Sequence, residues 1–490
     1  MSTTINKWYA LLIVLTAPLL YVIDIFIINI AIPTIKNSLH ASDGEIQLVI
    51  ASYLLGSACF LIIGGRAGDF LGKKKVFFWG MLAFTITSCI CGLSQTAAQL
   101  NIARFFQGVS SAFMVTQSIS LIQLLFTDTK ERAVAIGWYG ITLSIAAIIG
   151  QVLGGYLAET YFFVEGWRLI FFINLPVGIL SLLAIHRYLT ETAKTVKGRF
   201  DYQGAFVLTI GLACLIYALT EGRENSFPWW FYVLFILSLV FLILFVFIQQ
   251  KKRLNEQYPL IDLSLFKIKD FRIGLFAVLF HFMLHTAYLL IIAVYLQSGL
   301  RITALTCGLY FIPHAIFFML SSRIASRLLP RFGKAVLQLG LAIILLSFLM
   351  QIFFFTAQDK PFISMLFLSL YGLGNGLVLP FLLNVVLNNI HEKDAGAASG
   401  VFSTFQQTAS ALGISVIGGV FYTVLDTGHY LANHLFALQS GLTVCIVFLI
   451  GVWLSYAFYR MSKGYNICQL IHKREIPQVV TVVKPTLYVY

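Results

Sequence analysis

Residues 229–249 read WWFYVLFILSLVFLILFVFIQ, a run without a single charged side chain. At 1.5 Å of rise per helical residue, its length matches a hydrocarbon core about 30 Å thick. Polar and apolar residues do not alternate along it, as they do on a strand of a membrane barrel, so the run reads as a spanning helix. Lys251, Lys252 and Arg253 follow at once and mark where the chain leaves the lipid. The composition repeats that pattern on the scale of the whole chain. Of 490 residues, 59% are hydrophobic, 15% aromatic and 11% charged, and the mean hydropathy is +0.88. A soluble domain carries about 25% charge, so a water-exposed surface cannot be built from this supply. Soluble enzymes and disordered chains are excluded, and an all-α polytopic membrane protein remains.

Thirteen further runs have the ~20 mostly apolar residues that a span needs. With the first they fall at 8–30, 46–66, 76–94, 98–125, 133–157, 167–187, 202–220, 229–249, 272–296, 304–326, 335–356, 362–388, 398–424 and 435–459. The chain holds 33 Lys and Arg, for a net charge of +13. Only Lys36, Arg168, Arg223, Arg301 and Lys360 fall on one side of this layout, and Arg104 lies within the fourth span. All the rest, including Lys73, Lys74 and Lys75, share the side of the two termini, which is therefore expected to be cytoplasmic. The positive charge thus belongs to loops at a cell membrane of bacterial type, and nucleic acid is not expected as a partner. The first apolar run is too long for a cleavable signal peptide and lacks a small-residue exit. Six of the seven cysteines lie inside apolar runs, none in a metal-type CxxC pair, and read as small packing residues.

Two longer basic segments, 188–201 and 250–271, split the spans into six, two and six. The expected units are an N-terminal bundle at 1–190, linkers with two additional spans at 191–271, a C-terminal bundle at 272–462 and a cytoplasmic tail at 463–490. Internal duplication is common in transporters. Here Gly65-Arg66-Ala67-Gly68-Asp69-Phe70-Leu71-Gly72-Lys73-Lys74 after the second span is echoed by Ser322-Arg323 and Arg331-Phe332-Gly333-Lys334 at the matching place in the second block.

Several motifs together resemble the major facilitator superfamily, in particular its fourteen-span drug:proton antiporters of the EmrB/QacA type. Gly65, Asp69, Gly72, Lys73 and Lys74 match the signature G-x-x-x-D-x-x-G-[RK]-[RK], which the resemblance makes a conformational latch. Arg104-Phe105-Phe106-Gln107-Gly108 is similar to R-x-x-Q-G. Asp24, with Asn29, Ala31 and Pro33, resembles D-x-x-x-x-N-x-A-x-P. In span five, Gly150, Gln151, Gly154 and Gly155 occupy the place of the antiporter motif G-x-x-x-G-P-x-x-G-G, with Gln151 where the family has proline and Ala146 where it has the leading glycine. Trp167-Arg168, Phe171-Phe172, Asn174 and Pro176-Val177-Gly178 resemble a run typical of the fourteen-span group.

A guanidinium inside a membrane costs at least about 2.5 kcal/mol, so Arg104 needs a partner or water. Asp24 is the one acidic residue deep in a span. It reads either as a permanently ionised packing residue or as a carboxylate whose burial suits proton exchange. Asp24 and Arg104 are the candidate proton-coupling residues, and the sequence does not fix whether they meet. Asn29, Gln107, Ser111, His281, His285, His314, Gln406 and Gln407 are candidates to line a substrate cavity. His281 and His285 share a helix face, and His314 follows Pro313. They read as packing groups, as polar cavity groups or as a second proton-sensitive set, with no carboxylate or cysteine cluster beside them to suggest a metal.

No P-loop and no catalytic constellation is present. The expected function is secondary active transport without a cofactor, driven by the proton gradient. The expected form is export of small amphipathic compounds or drugs in exchange for protons, by alternating access between the two bundles of a monomer. Proton-coupled uptake, or export of one dedicated metabolite, is the alternative on the same fold. A membrane-embedded enzyme or sensor is a distant third.

Overall fold

The computed structural model describes residues 6–161, 164–190, 201–224, 227–255, 257, 259–261, 263–355, 361–387, 390, 395–426 and 431–457. The expected tail at 463–490 and most of the first linker lie outside them. The N-terminal bundle comprises α1 (Lys7–Leu39), α2 (Asp43–Leu71), α3 (Lys73–Leu93), α4 (Ala97–Leu125), α5 (Thr129–Glu159) and a sixth span broken at Ile173 into α6 (Gly166–Phe172) and α7 (Asn174–Tyr188). The central pair is α8 (Tyr202–Glu224) and α9 (Trp229–Leu254). The C-terminal bundle comprises α10 (Lys269–Val294), α11 (Ala304–Phe332), α12 (Lys334–Phe354), α13 (Pro361–Leu387), a span formed by α14 (Ala395–Gly413), a π-helical turn at Ile414–Gly418 and α15 (Gly419–Asp426), and finally α16 (Leu431–Ala457). Among the described residues, fourteen helical spans are long and apolar enough to cross a membrane, and each coincides with one expected run.

The helices stop where the sequence supplies caps. Ser42 and Glu45 form a reciprocal capping box at the start of α2, and Thr96 and Thr303 accept from backbone N–H groups at the starts of α4 and α11. Between α2 and α3 the chain reverses over Gly72, whose φ of 101° is open mainly to glycine. Gly333, at φ 49°, does the same between α11 and α12. These two glycines occupy equivalent places in a duplicated bundle, which gives the weak sequence echo a backbone reason.

Lipid provides no hydrophobic force to drive helices together, so close packing and hydrogen bonds must hold the bundles. The crossing of α2 and α4 shows how close. A Cβ on Gly108 would sit 2.0 Å from the Tyr53 carbonyl oxygen, and one on Gly56 would sit 2.2 Å from that of Phe105. The second bundle repeats this with α11 and α13, where Cβ atoms on Gly372 and Gly376 would each lie 2.3 Å from the carbonyl oxygens of His314 and Phe318. The central pair is built differently. In α9 only Ser238, Phe245 and Gln249 are buried; Phe231, Phe241 and Leu242 pack on glycines of α8, while Ile236, Val240, Ile243 and Phe247 are exposed. Its lysine-rich end is clasped by Asp201, which accepts from Gly204 N at 2.7 Å, Gln249 Nε2 at 2.9 Å, Leu260 N at 3.2 Å and Lys252.

Gly108→Val would drive two methyl groups into the α2 backbone, an overpacking that costs 1–3 kcal/mol or more. The expected outcome is a thermal unfolding midpoint in detergent clearly below wild type. Gly137→Ala, on an open face of α5 with no atom within 4 Å of the new Cβ, should leave the midpoint in place. Equal midpoints for both variants would show that the α2–α4 crossing is not tight.

Candidate functional site

At mid-depth of the N-terminal bundle the two intramembrane charges meet. Arg104 on α4 donates from Nη1 to Asp24 Oδ2 on α1, and both side chains are fully buried. Gln107, one turn along α4, donates to Asp24 Oδ1 at 2.9 Å and accepts from Arg104 Nη1 at 2.8 Å. Asn174, the first residue of α7, reaches Asp24 Oδ1 at 3.5 Å and Ser88 Oγ at 2.9 Å. Arg104 Nε donates to the Val49 carbonyl at 3.0 Å, and the guanidinium lies 4.2 Å from the centre of the Tyr53 ring. The pair is thereby tied to α1, α2, α3, α4 and α7 at once. In a low-dielectric interior such a pair depends on further hydrogen bonds; Asp24 receives three donors, while Arg104 Nη2 has no hydrogen-bond partner among the described residues.

Sequence reading singled out Asp24, Arg104, Gln107 and, through the W-R run, Asn174. It missed Tyr53, Ser88 and the Val49 carbonyl, which carry no signature of their own. Of the cavity candidates, Gln107 therefore belongs to this interior network. Ser111 turns back to the Gly108 carbonyl at 2.7 Å, and Asn29 is buried on α1.

A second polar knot ties the end of the bundle opposite the lysines. Trp167 Nε1 donates to Ser38 Oγ and Glu165 Oε2, both at 2.9 Å, and Arg168 donates to Glu165 and to the Gly92 and Ser94 carbonyls. The Ser38 hydroxyl, helped by Trp167 and Arg168 and opposed by partial burial, holds the Glu165 carboxyl below its usual range. At the lysine-rich end, Gln117 of α4 donates to the Gly64 carbonyl at 2.6 Å. It fills the space left by Gly68, where a Cβ would sit 2.1 Å from its Oε1. Gly65 is less crowded, its nearest such neighbour being Thr116 at 3.9 Å. Lys74 reaches the His186 carbonyl at 3.3 Å, and Lys73 opens α3. The side chain of Asp69 lies outside the described set.

The antiporter-motif helix α5 stands between the bundles. Gly150 and Gly154 face α1, where Cβ atoms would come within 2.9 Å of the Ile23 carbonyl oxygen and 2.7 Å of that of Ile27. Gly155 faces α11, at 2.4 Å from the Ala304 carbonyl oxygen, and Gly308 of α11 faces the Gln151 carbonyl at 2.5 Å. Gln151 itself is buried. These contacts close α5 on α11 at the end opposite the lysines. Toward the lysine-rich end α5 is uncovered: Gly137 and Gly140 have no atom within 4 Å, and Ile136 and Ile141 are exposed. On the other flank α2 lies against α14, and Gln407 of α14 donates across the bundle interface to the Tyr21 hydroxyl of α1. Gln406 is half-buried beside it. The three span histidines lie in the second bundle, apart from Asp24. His281 Nε2 meets Asn375 Oδ1 at 2.8 Å, and His285 Nδ1 meets the Tyr371 hydroxyl at 2.7 Å.

A model of the Major Facilitator Superfamily matches residues 14–248 and 202–414. The chain belongs to that superfamily. It is 31% identical to the probable actinorhodin transporter of Streptomyces coelicolor, over 86% of this chain and 74% of that protein. It is 30% identical to the puromycin resistance protein pur8 of Streptomyces alboniger, over 92% and 90%, and 30% identical to the multidrug resistance protein Stp of Mycobacterium tuberculosis, over 85% and 76%. Among solved structures, a D-xylose–proton symporter matches with a TM-score of 0.65 at 12% identity, over 93% of this chain and 99% of that one. An inward-facing bacterial homologue of the lysosomal transporter Spinster matches with 0.63 at 16% identity, over 92% and 96%. Family and fold are those of multi-pass membrane transporters that bind small molecules.

Arg104→Ala leaves the Asp24 carboxylate buried without its charge partner, a loss of about 3–5 kcal/mol for pairs of this kind. Asp24→Asn with Arg104→Gln removes both charges and should recover most of that loss. Thermal unfolding in nanodiscs checks this. A single Arg104→Ala variant as stable as wild type would show that the pair does not hold α1 to α4.

Proposed function

We propose that this chain exports small amphipathic compounds in exchange for protons, by alternating access between its two bundles, with the lysine-rich face in the cytoplasm. The observation that carries the reading is the ion pair Asp24–Arg104, buried at mid-depth between α1 and α4. A charged pair there serves packing less well than apolar residues of the same volume, so its presence points to a use for the charge. Protonating Asp24 removes the counter-charge of Arg104 and weakens the α1–α4 contact. Proton binding is in this way linked to the helix that also carries Tyr21, the residue hydrogen-bonded to the opposite bundle. Export is favoured over uptake by the relatives, whose names speak of multidrug and puromycin resistance. The latch residues Gly65, Asp69, Gly72, Lys73 and Lys74 act at the lysine-rich end, and Gln407 is the cavity candidate placed where both bundles can reach a substrate. The unit of transport is the monomer.

Puromycin serves as the probe. Proteoliposomes with an acidic lumen should accumulate it faster than protein-free vesicles under the same gradient, which correct for passive trapping of a weak base. Asp24→Asn should lower that protein-dependent rate at least tenfold while the protein stays folded. Accumulation favoured by an alkaline lumen would overturn export by antiport. A wild-type rate in Asp24→Asn would move proton coupling off this carboxylate.

A further inference from the structure

The second bundle repeats the first, and the repeat places its polar groups. One and the same separation in sequence divides Gly72 from Gly333, Asp24 from His285 and Tyr53 from His314. His285 therefore stands on α10 where Asp24 stands on α1, and His314 stands on α11 where Tyr53 covers the guanidinium on α2. The charged pair of the first bundle is replaced in the second by a neutral array. Between Asp270 and Asp359 the sequence has no acidic residue, and the later spans have none before Asp426. The histidines are the groups at this depth whose ordinary titration falls between pH 5 and 8.

Their hydrogen bonds fix which atom is free to take a proton. Asn375 offers Oδ1 to His281 Nε2 at 2.8 Å, so its Nδ2 faces His285 Nδ1, at 3.3 Å. The Tyr371 hydroxyl faces the same Nδ1 at 2.7 Å. Two donors on one ring nitrogen make that nitrogen the acceptor, so the network assigns the hydrogen of neutral His285 to Nε2. His281 and His285 are stacked at 6.1 Å with their planes 7° apart. His285 and His314 flank Tyr371 at 6.0 and 5.7 Å, both 13° from its plane. Neither ring nitrogen of His314, nor Nδ1 of His281, has a hydrogen-bond partner among the described residues, although both side chains are buried. Unsatisfied buried imidazole nitrogens are costly where lipid offers no water, which argues against simple packing.

We propose that His285, with His281, His314, Tyr371 and Asn375, forms a second proton-binding site that biases the balance between the two access states. This rests on the proton-coupled reading of the chain and adds a site to it. The proton adds to the lone pair of His285 Nδ1, and no covalent bond breaks. Tyr371 turns its hydroxyl to accept, and Asn375 turns its amide so that its oxygen faces the imidazolium. The turned amide presents an N–H to His281 Nε2, which accepts once the hydrogen of His281 sits on its partnerless Nδ1. The groups facing the array from the neighbouring helices are uncharged. Among the described residues they are Tyr371 of α13 and, on α10 itself, Tyr288, whose rings lie 4.1 Å apart, and Cys445 of α16, which interacts with both, while α14 carries no titratable residue. Asp24 is turned into its own bundle, against Arg104. With no counter-charge nearby, the imidazolium is favoured only while water reaches it, and closure of the cleft expels the proton.

The test needs no transported compound. Nitroxides on Ile136→Cys of α5 and Ile324→Cys of α11, both exposed near the lysine-rich end, report the cleft by double electron–electron resonance in nanodiscs, on the full chain with native cysteines replaced. The distance distribution should change between pH 8 and 5 (the window of histidine titration). His285→Gln should abolish the change or move its midpoint by at least one pH unit, and Asp24→Asn should leave a change in place. Histidine-selective ¹³C spectra of the wild type, with the His285 signal assigned by its loss in His285→Asn, report protonation directly. A pH response that survives in His285→Gln and in the triple variant with His281→Gln and His314→Gln overturns the proposal. So does a His285 signal that never titrates between pH 5 and 8. Gradient-driven puromycin transport that persists alongside such a result leaves the antiport reading standing. A titrating His285 without gradient-driven transport removes that reading and keeps the site.

Discussion

Lipid supplies no hydrogen bonds, and this one constraint organises the molecule. Polar groups within the spans depend on partners inside the protein, and the few that have none among the described residues, such as the ring nitrogens of His314, stand out. Asp24 and Arg104 show the dependence most plainly, because neither is tolerable at that depth alone. Together they recruit Gln107, Asn174, Ser88 and the Val49 carbonyl, so that satisfying two charges fixes the relative positions of five helices. The same constraint explains the glycines. Where side chains cannot be pressed together by water, backbones approach directly, and Gly56 and Gly108 bring α2 and α4 nearly into contact.

The two bundles answer that constraint in different ways on one scaffold. The first uses opposite charges beneath the Tyr53 ring. The second uses neutral imidazoles, an amide and a phenol arranged around Tyr371. A charged lock and a neutral array thus occupy matching places in the two bundles. The cross-bundle bond from Gln407 to Tyr21 joins the two halves.

Much of this was legible in the sequence. Spans as apolar as 229–249 could not be anything else, and each of the fourteen expected runs has its helix among the described residues. Motif resemblance singled out Asp24 and Arg104, and the cost of a buried guanidinium called for a partner or water, but sequence alone could not show that the two meet. Tyr53, Ser88 and Gln117 were overlooked because a tyrosine, a serine or a glutamine in an apolar run has no spacing rule. Their importance comes from which face of a neighbouring helix they meet. The histidines were noticed, yet their kinship with Asp24 emerged only when Gly333 was seen to turn the chain as Gly72 does. The break of span six at Ile173, which frees Asn174 to reach Asp24, was likewise invisible in hydropathy.

The central claim is that movement of an organic compound and movement of protons through this protein are obligatorily opposed. A pH-sensitive dye sealed in the lumen of proteoliposomes loaded at acid pH measures it most directly, with puromycin added outside. The account predicts that the lumen turns alkaline faster on addition than in protein-free vesicles receiving the same dose, as protons leave in exchange. A lumenal pH that follows the protein-free trace, while labelled puromycin enters through the protein, would contradict it.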